Sequence, residues 1–207
     1  MSKIKTNSLQ HNSVGAATFT LPTADGSSGQ ALTTNASGQL SFAKAGLFSS
    51  YALICDRKVG NVNGGGFTNG AWRTRDLNFE IADPDGIVTI AANEFTLQAG
   101  SYLITWRAPA YKVNRHISRL YDVTNSAAIT YGQSCFENAN DITTISTGSA
   151  RVTPSGSTVY SIQHACQTTS GGDGFGVASQ FDADGDYNNG STETYSVYTV
   201  VEIYKEA

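Results

Sequence analysis

The sequence predicts an all-β fold of antiparallel strands, a sandwich or barrel, and three observations carry this. Short apolar runs recur along most of the chain with turn sequences between nearly all of them. None of these runs shows the spacing of an amphipathic helix. Charged residues are only 14% of the 207, against about 25% in an average soluble domain. Gly, Ser, Thr and Asn take their place, and such residues suit strands and turns better than helix interiors.

The composition changes near residue 45. Before it, apolar residues come in bursts at 17–21, 31–34 and 39–42, separated by Asp25-Gly26-Ser27-Ser28-Gly29 and Asn35-Ala36-Ser37-Gly38. Three mini-strands with so few large side chains cannot build a private core. Residues 1–45 are therefore expected to be a β-rich attachment or stalk segment that gains burial from its own copies. The plainer alternative is a flexible linker.

Residues 46–207 are expected to be the head domain. Strands are predicted at 51–59, 71–81, 86–91, 95–97, 100–106, 116–123, 128–134, 142–152, 158–167, 175–181 and 195–204. Turn signals such as Asp83-Pro84-Asp85-Gly86, Thr153-Pro154-Ser155-Gly156 and Ser170-Gly171-Gly172-Asp173-Gly174 separate them. Pro109 closes the strand that contains Trp106.

In the last strand Tyr195, Val197, Thr199, Val201 and Ile203 share one face. Ser196, Tyr198, Val200, Glu202 and Tyr204 share the other, which is also largely apolar. A strand with one wet face should be polar at every second position. A partner subunit covering Tyr198, Val200 and Tyr204 is the expected explanation, since broad apolar patches are rarely left bare.

A net charge of −4 argues against a dedicated nucleic-acid binder. No apolar run approaches the ~18 residues of a membrane-spanning helix. The first seven residues lack the apolar core of a secretory signal, so folding in a cytosol is expected. Cys55, Cys135 and Cys166 are odd in number and far apart, which fits small core hydrophobes better than a disulfide framework.

Several stretches are candidate sites. Asp182, Asp184 and Asp186, with Glu193 further on, have oxygen ligands at the spacing of a calcium loop. Tyr187 stands where such a loop needs Gly, and an acidic hairpin loop is the simpler reading, so no metal or other cofactor is expected. Gly171-Gly172-Asp173-Gly174-Phe175-Gly176 is a single glycine-rich loop. His164 and Cys166 are expected in the core. Arg73 and Arg75 share a strand face, with Asp76 and Glu80 as expected ion-pair partners. Phe67 and Tyr111 are aromatics on polar loops, able either to contact a receptor or to cap the sandwich. No nucleophile elbow, P-loop or paired catalytic carboxylate stands out, so an enzyme is not expected.

Two segments resemble known families. The series Leu21-Pro22, Asp25-Gly26, Gly29-Gln30, Leu32, Gly38 and Leu40-Ser41-Phe42 resembles an element of phage tail fibres. Residues 48–207 resemble the jelly-roll heads of the tumour necrosis factor and complement globular-head superfamily, in the form seen in phage virion proteins. That likeness is carried by Trp72-Arg73-Thr74-Arg75-Asp76-Leu77-Asn78, by Phe95-Thr96-Leu97-Gln98-Ala99-Gly100-Ser101-Tyr102-Leu103-Ile104, by His116-Ile117-Ser118-Arg119-Leu120 and by the closing strand. The resemblance implies a two-sheet antiparallel jelly roll assembled as a homotrimer. It further implies a bacteriophage virion structural protein, a tail or capsid fibre assembled in the host cytoplasm and joined to other virion proteins through residues 1–45. Its head would recognise a host cell-surface glycan or an outer-membrane component. A capsid decoration protein and a stand-alone carbohydrate-binding module are the alternatives.

Overall fold

Turn chemistry shapes the first part of the chain. The computed structural model describes residues 6–10, 18–138, 141–179 and 195–207. The chain divides into two units, Met1–Ser49 with Ala207, and Ser50–Glu206. In the first, β1 (Ser8–Gln10) pairs with β2 (Thr18–Thr20), and β3 (Gln30–Thr34) with β4 (Leu40–Lys44). Asn35 turns the second hairpin: its Oδ1 accepts the backbone N–H groups of Ser37 and Gln39 at 2.9 and 3.1 Å. Leu9, Phe19 and Leu32 remain exposed, so the unit has almost no interior of its own.

The second unit continues with β5 (Phe48–Val59), β6 (Arg73–Thr74), β7 (Phe79–Ala82), β8 (Val88–Ala91), β9 (Glu94–Leu97) and β10 (Tyr102–Tyr111). Then come β11 (His116–Asp122), β12 (Ala127–Tyr131), β13 (Thr143–Val152), β14 (Thr158–Cys166) and β15 (Tyr195–Glu206). One five-stranded sheet has the order β13-β10-β15-β5-β7. A six-stranded sheet has the order β12-β11-β14-β9-β8, with β6 also pairing with β14. All of the pairings that define these registers are antiparallel.

From β9 onward the chain crosses between sheets at almost every step, so most neighbours in a sheet are distant in sequence. Two antiparallel sheets wound in this way form a jelly roll. Each inner strand contributes alternate side chains to the shared core. From β10 come Tyr102, Ile104 and Trp106; from β11, Leu120; from β14, Ile162; from β15, Val201 and Ile203. Trp106 ties the sheets together: its indole N–H donates to Ser118 Oγ on β11 at 2.8 Å. The ring lies across Gly148, its register partner on β13. No other residue leaves room for the indole there.

Four strand expectations need correction. Pro109 does not close its strand: β10 runs on to Tyr111, with Pro109 opposite Ile145 on β13. The stretch 71–81 is not one strand. Arg73 and Thr74 pair with β14 in one sheet, and Phe79–Ala82 pairs with β5 in the other. The chain changes sheets between them and drops Arg75 and Leu77 into the interior. Residues 175–179 are irregular rather than strand. In β15 Tyr198 and Thr199 are both buried, so the alternation slips by one position. Tyr198 therefore faces inward and its hydroxyl donates to the carbonyl of Val62 at 2.6 Å. It does not belong to the outer surface expected for it, whereas Val200 and Tyr204 do lie there, half-buried.

Gly148→Ala should place a methyl group inside the Trp106 indole and lower the unfolding free energy by about 2 kcal/mol. Urea unfolding measures this; an unchanged midpoint would show that Trp106 has another rotamer available.

Candidate functional site

The end of the sandwich nearest the Phe67 loop is built around Arg75. The guanidinium is fully buried, and among the described residues no carboxylate pairs with it. Nε donates to Thr199 Oγ1 on β15 at 2.7 Å, Nη1 to the Pro109 carbonyl on β10 at 3.0 Å, and Nη2 to the Phe175 carbonyl at 2.8 Å. Its plane rests on the Phe175 ring, 3.9 Å away. Desolvation lowers its pKa to about 9, against the opposing pull of Asp56 and Asp76. The ion pairs expected for Arg73 and Arg75 are not made. Asp76 pairs with Lys58 at 2.7 Å, and Arg73 donates to the Thr68 carbonyl at 3.1 Å.

Beside Arg75 sit two buried imidazoles. His116 Nδ1 and His164 Nε2 are 2.9 Å apart, and His116 Nε2 is 2.6 Å from Thr144 Oγ1. Among the described residues His164 Nδ1 has no hydrogen-bond partner. An unpaired buried acceptor is better tolerated than an unpaired donor. The preferred tautomers therefore have His164 donating to His116, and His116 donating to Thr144. Burial, and then the Arg75 charge, lower the His116 pKa to about 4. The same causes, with His116 added, push His164 down as well. Both rings are buried and neutral at ordinary pH.

Phe67 closes this end. It is fully buried, with its ring 4.8 Å from His164 and 4.7 Å from Phe175. The receptor contact considered for it is therefore ruled out by burial, and the capping role stands. Tyr111 ends β10 with its hydroxyl donating to Asp141 Oδ1 at 2.6 Å, while Lys112 pairs with the same oxygen at 2.7 Å. The ring is thus held in place at the rim. Asp182, Asp184 and Asp186 lie outside the described residues. Among the described residues no three His, Cys, Asp or Glu side chains cluster as a metal site. Cys55 is in the core, while Cys135 and Cys166 are half-buried, and burial pushes the Cys166 thiol up to about 11.

The outer face of the six-stranded sheet carries a different chemistry. On β11 the residues His116, Ser118, Leu120 and Asp122 turn inward, so Ile117, Arg119 and Tyr121 face out. Arg115, just before the strand, continues the outward row and is exposed. Register with β14 sets Arg119 beside Gln163, and backbone bonding sets Arg115 beside Gln167. Arg119 Nε and Nη2 both donate to Gln163 Oε1, at 2.9 and 2.6 Å. Arg115 Nη1 donates to Gln167 Oε1 at 3.0 Å.

Aromatic rings flank both guanidinium groups. Arg119 lies 4.1 Å from the Trp72 ring centre and 4.6 Å from that of Tyr121, and Trp72 packs against Tyr131 at 5.9 Å. Arg115 lies 4.8 Å from the Phe136 ring centre. Tyr131 and Phe136 are 56% and 55% exposed, so these rings offer open faces. An open cavity of about 430 Å3 runs beside Arg115, Ile117, Phe136 and Ala165. His116, Cys135 and Cys166 also line this cavity, and burial pushes both thiols up. Neither arginine was singled out as a site in the sequence. The available signal was the pair of four-residue spacings, Arg115 to Arg119 and Gln163 to Gln167, which only the register brings together.

The outer face of the five-stranded sheet contrasts with it. Leu103 lies between Tyr204 and Arg151 in register, and Arg107 between Val200 and Thr147. Here two arginines meet carboxylates: Arg107 pairs with Glu202 at 3.0 Å, and Arg151 with Glu206 at 2.6 Å, while Arg57 on β5 lies between the Phe79 and Tyr195 rings.

Solved structures similar to this chain include the following three. The globular domain of zebrafish complement 1qA protein is 15% identical over 75% of this chain and 95% of its own, with a TM-score of 0.44. Eiger TNF from S. frugiperda is 13% identical over 78% of this chain and 94% of its own, with a TM-score of 0.47. Murine APRIL is 6% identical over 75% of this chain and 98% of its own, with a TM-score of 0.43. No protein-family model matches the chain, and no curated protein matches it either.

Two measurements check the buried end. Arg75→Met removes the donor to three buried acceptors and should lower the unfolding free energy by about 3 kcal/mol; a loss below ~1 kcal/mol would mean that water replaces it. The histidines set a pH window. Unfolded, they titrate near 6.5, whereas folded His116 binds a proton only near pH 4. Stability is therefore full above about pH 6.5 and falls as the pH drops toward 4. Thermal midpoints should follow that slope, and His116→Gln should flatten it; parallel profiles would refute the assignment.

Proposed function

We propose that this chain is a bacteriophage virion structural protein, a trimer whose jelly-roll head recognises a glycan on the host surface. The observation that carries this reading is the difference between the two outer faces. On the five-stranded sheet Val200, Leu103 and Tyr204 are apolar, and the neighbouring arginines are neutralised by Glu202 and Glu206. Such a face suits burial against a copy of itself, because few unpaired charges would have to be stripped of water. The six-stranded sheet instead presents arginines and open aromatic rings, the residue types that hold sugars by hydrogen bonds and ring stacking.

The virion assignment is supported by the resemblance of residues 21–42 to the tail-fibre element. Residues 1–45 would attach to other virion proteins, and the exposure of Leu9, Phe19 and Leu32 fits a segment that gains burial from other copies. Three heads on one axis raise the avidity of a weak single site without any new contact. The head would act by recognition alone, with no bond broken.

Fluorescent full-length protein should bind host cells and be displaced by purified surface polysaccharide. Light scattering should give three times the 21.9 kDa of one chain. Val200→Asp should fall to the single-chain mass and lose most cell binding. Absence of cell binding at every concentration would end the recognition reading, and a wild-type mass of one chain would end the trimer.

A further inference from the structure

We infer that the outward face of β11 and β14 binds an acidic polysaccharide, taking on Arg115 and Arg119 the anionic groups of sugar units that flank an intervening one. The inference rests on the reading of the head as a glycan binder and names the class of glycan. It starts from the repeat of one arrangement. Arg115 is held by Gln167 beside Phe136, and Arg119 is held by Gln163 beside Trp72 and Tyr121. Arg115 and Arg119 are four residues apart on one face, which sets their backbone positions about 13 Å apart at ~3.3 Å per residue. The Ile117–Ala165 step between them borders the open cavity, which leaves space for a sugar ring between the two charges.

The identity of the holding residue decides the sign of the ligand. A carboxylate would orient a guanidinium equally well and cancel its charge, as Glu202 and Glu206 do for Arg107 and Arg151. Gln163 and Gln167 orient without cancelling. Among the described residues neither Arg115 nor Arg119 forms an ion pair. Nη1 of Arg119, and Nε and Nη2 of Arg115, donate to no described protein group. Two oriented cations with donors to spare, on a chain of net charge −4, form a local site for carboxylate, phosphate or sulfate oxygens. The flanking rings supply apolar faces for sugar C–H groups. Two cations are too few for a duplex nucleic acid, whose binders neutralise many phosphates.

Affinity electrophoresis of the full chain through gels holding polygalacturonate, its methyl-esterified form, or polyphosphate tests this. Retardation is expected in polygalacturonate and not in the ester, which keeps the backbone and removes the charge. Arg115→Gln and Arg119→Gln should each weaken it about tenfold, as for one charge-assisted hydrogen bond. Gln163→Glu keeps the fold and the hydrogen bond but neutralises Arg119, and it should weaken retardation comparably. Equal retardation in the ester, equal retardation in polyphosphate, or variants that behave as wild type would each overturn the inference. Cell binding that survives Arg115→Gln and Arg119→Gln would overturn it while leaving recognition by the head intact. Loss of cell binding in both variants, with unchanged thermal midpoints, would support it.

Discussion

The buried guanidinium of Arg75 is the constraint on which one whole end of the molecule depends. It enters the interior because the chain leaves β14's edge at Thr74 and joins β5 at Phe79, crossing from sheet to sheet between them. At the crossing it collects acceptors from β10, from β15 and from the loop at Phe175. Placing a cation there costs solvation that the nearby Asp56 and Asp76 return only in part. Its tolerance rests on the delocalised charge of arginine, three neutral acceptors and the Phe175 face. A lysine could satisfy no such fork. The neighbouring His116 and His164 must then stay neutral, since a second cation would meet the first at close range in a poorly solvated site. Phe67 seals the arrangement from water.

Much of this fold was legible in the sequence, because its long strands carry their own alternation. Tyr102, Ile104 and Trp106 fall on one side of β10, and Val201 and Ile203 on one side of β15, as a period of two requires. The failures share one cause. Periodicity describes a strand but not which sheet it belongs to. Arg73, Arg75, Leu77 and Phe79 keep one alternating phase across a change of sheet, so nothing local marks the break. Tyr198 was misplaced because its phase was extended back from Val201 past the slip at Thr199. Phe67 sits among glycines that read as a wet loop, and only the packing of His164 and Phe175 against its ring turns that loop inward. The candidate site was less legible still. Arg119 and Gln163 are 44 positions apart, and their meeting is a property of the register alone.

A sandwich gives each sheet one face to the core and one to the surroundings, so any division of labour must be made between the two outer faces. This chain makes it with the partner of arginine. Where Arg107 and Arg151 line the five-stranded sheet, glutamates neutralise them. Where Arg115 and Arg119 line the six-stranded sheet, glutamines position them and leave the charge in place. Both choices order a flexible side chain at similar entropic cost; they differ in what the face attracts afterwards.

That difference also explains how a chain of net charge −4 can attract an anion without adsorbing every polyanion it meets. At physiological ionic strength the Debye length is about 8 Å, so a ligand seated on the stripe senses the nearest guanidinium groups and little of the acidic residues farther off. A polyanion approaching at longer range instead meets the net negative field. Selectivity then depends on geometry: a polymer must place its anionic groups at the spacing of Arg115 and Arg119 and offer sugar faces to Trp72, Tyr131 and Phe136 to gain both contacts. A stripe of paired, unoriented lysines would have neither the spacing nor the unfilled donors. The amides of Gln163 and Gln167 are what convert two surface arginines into a site with a defined ligand geometry.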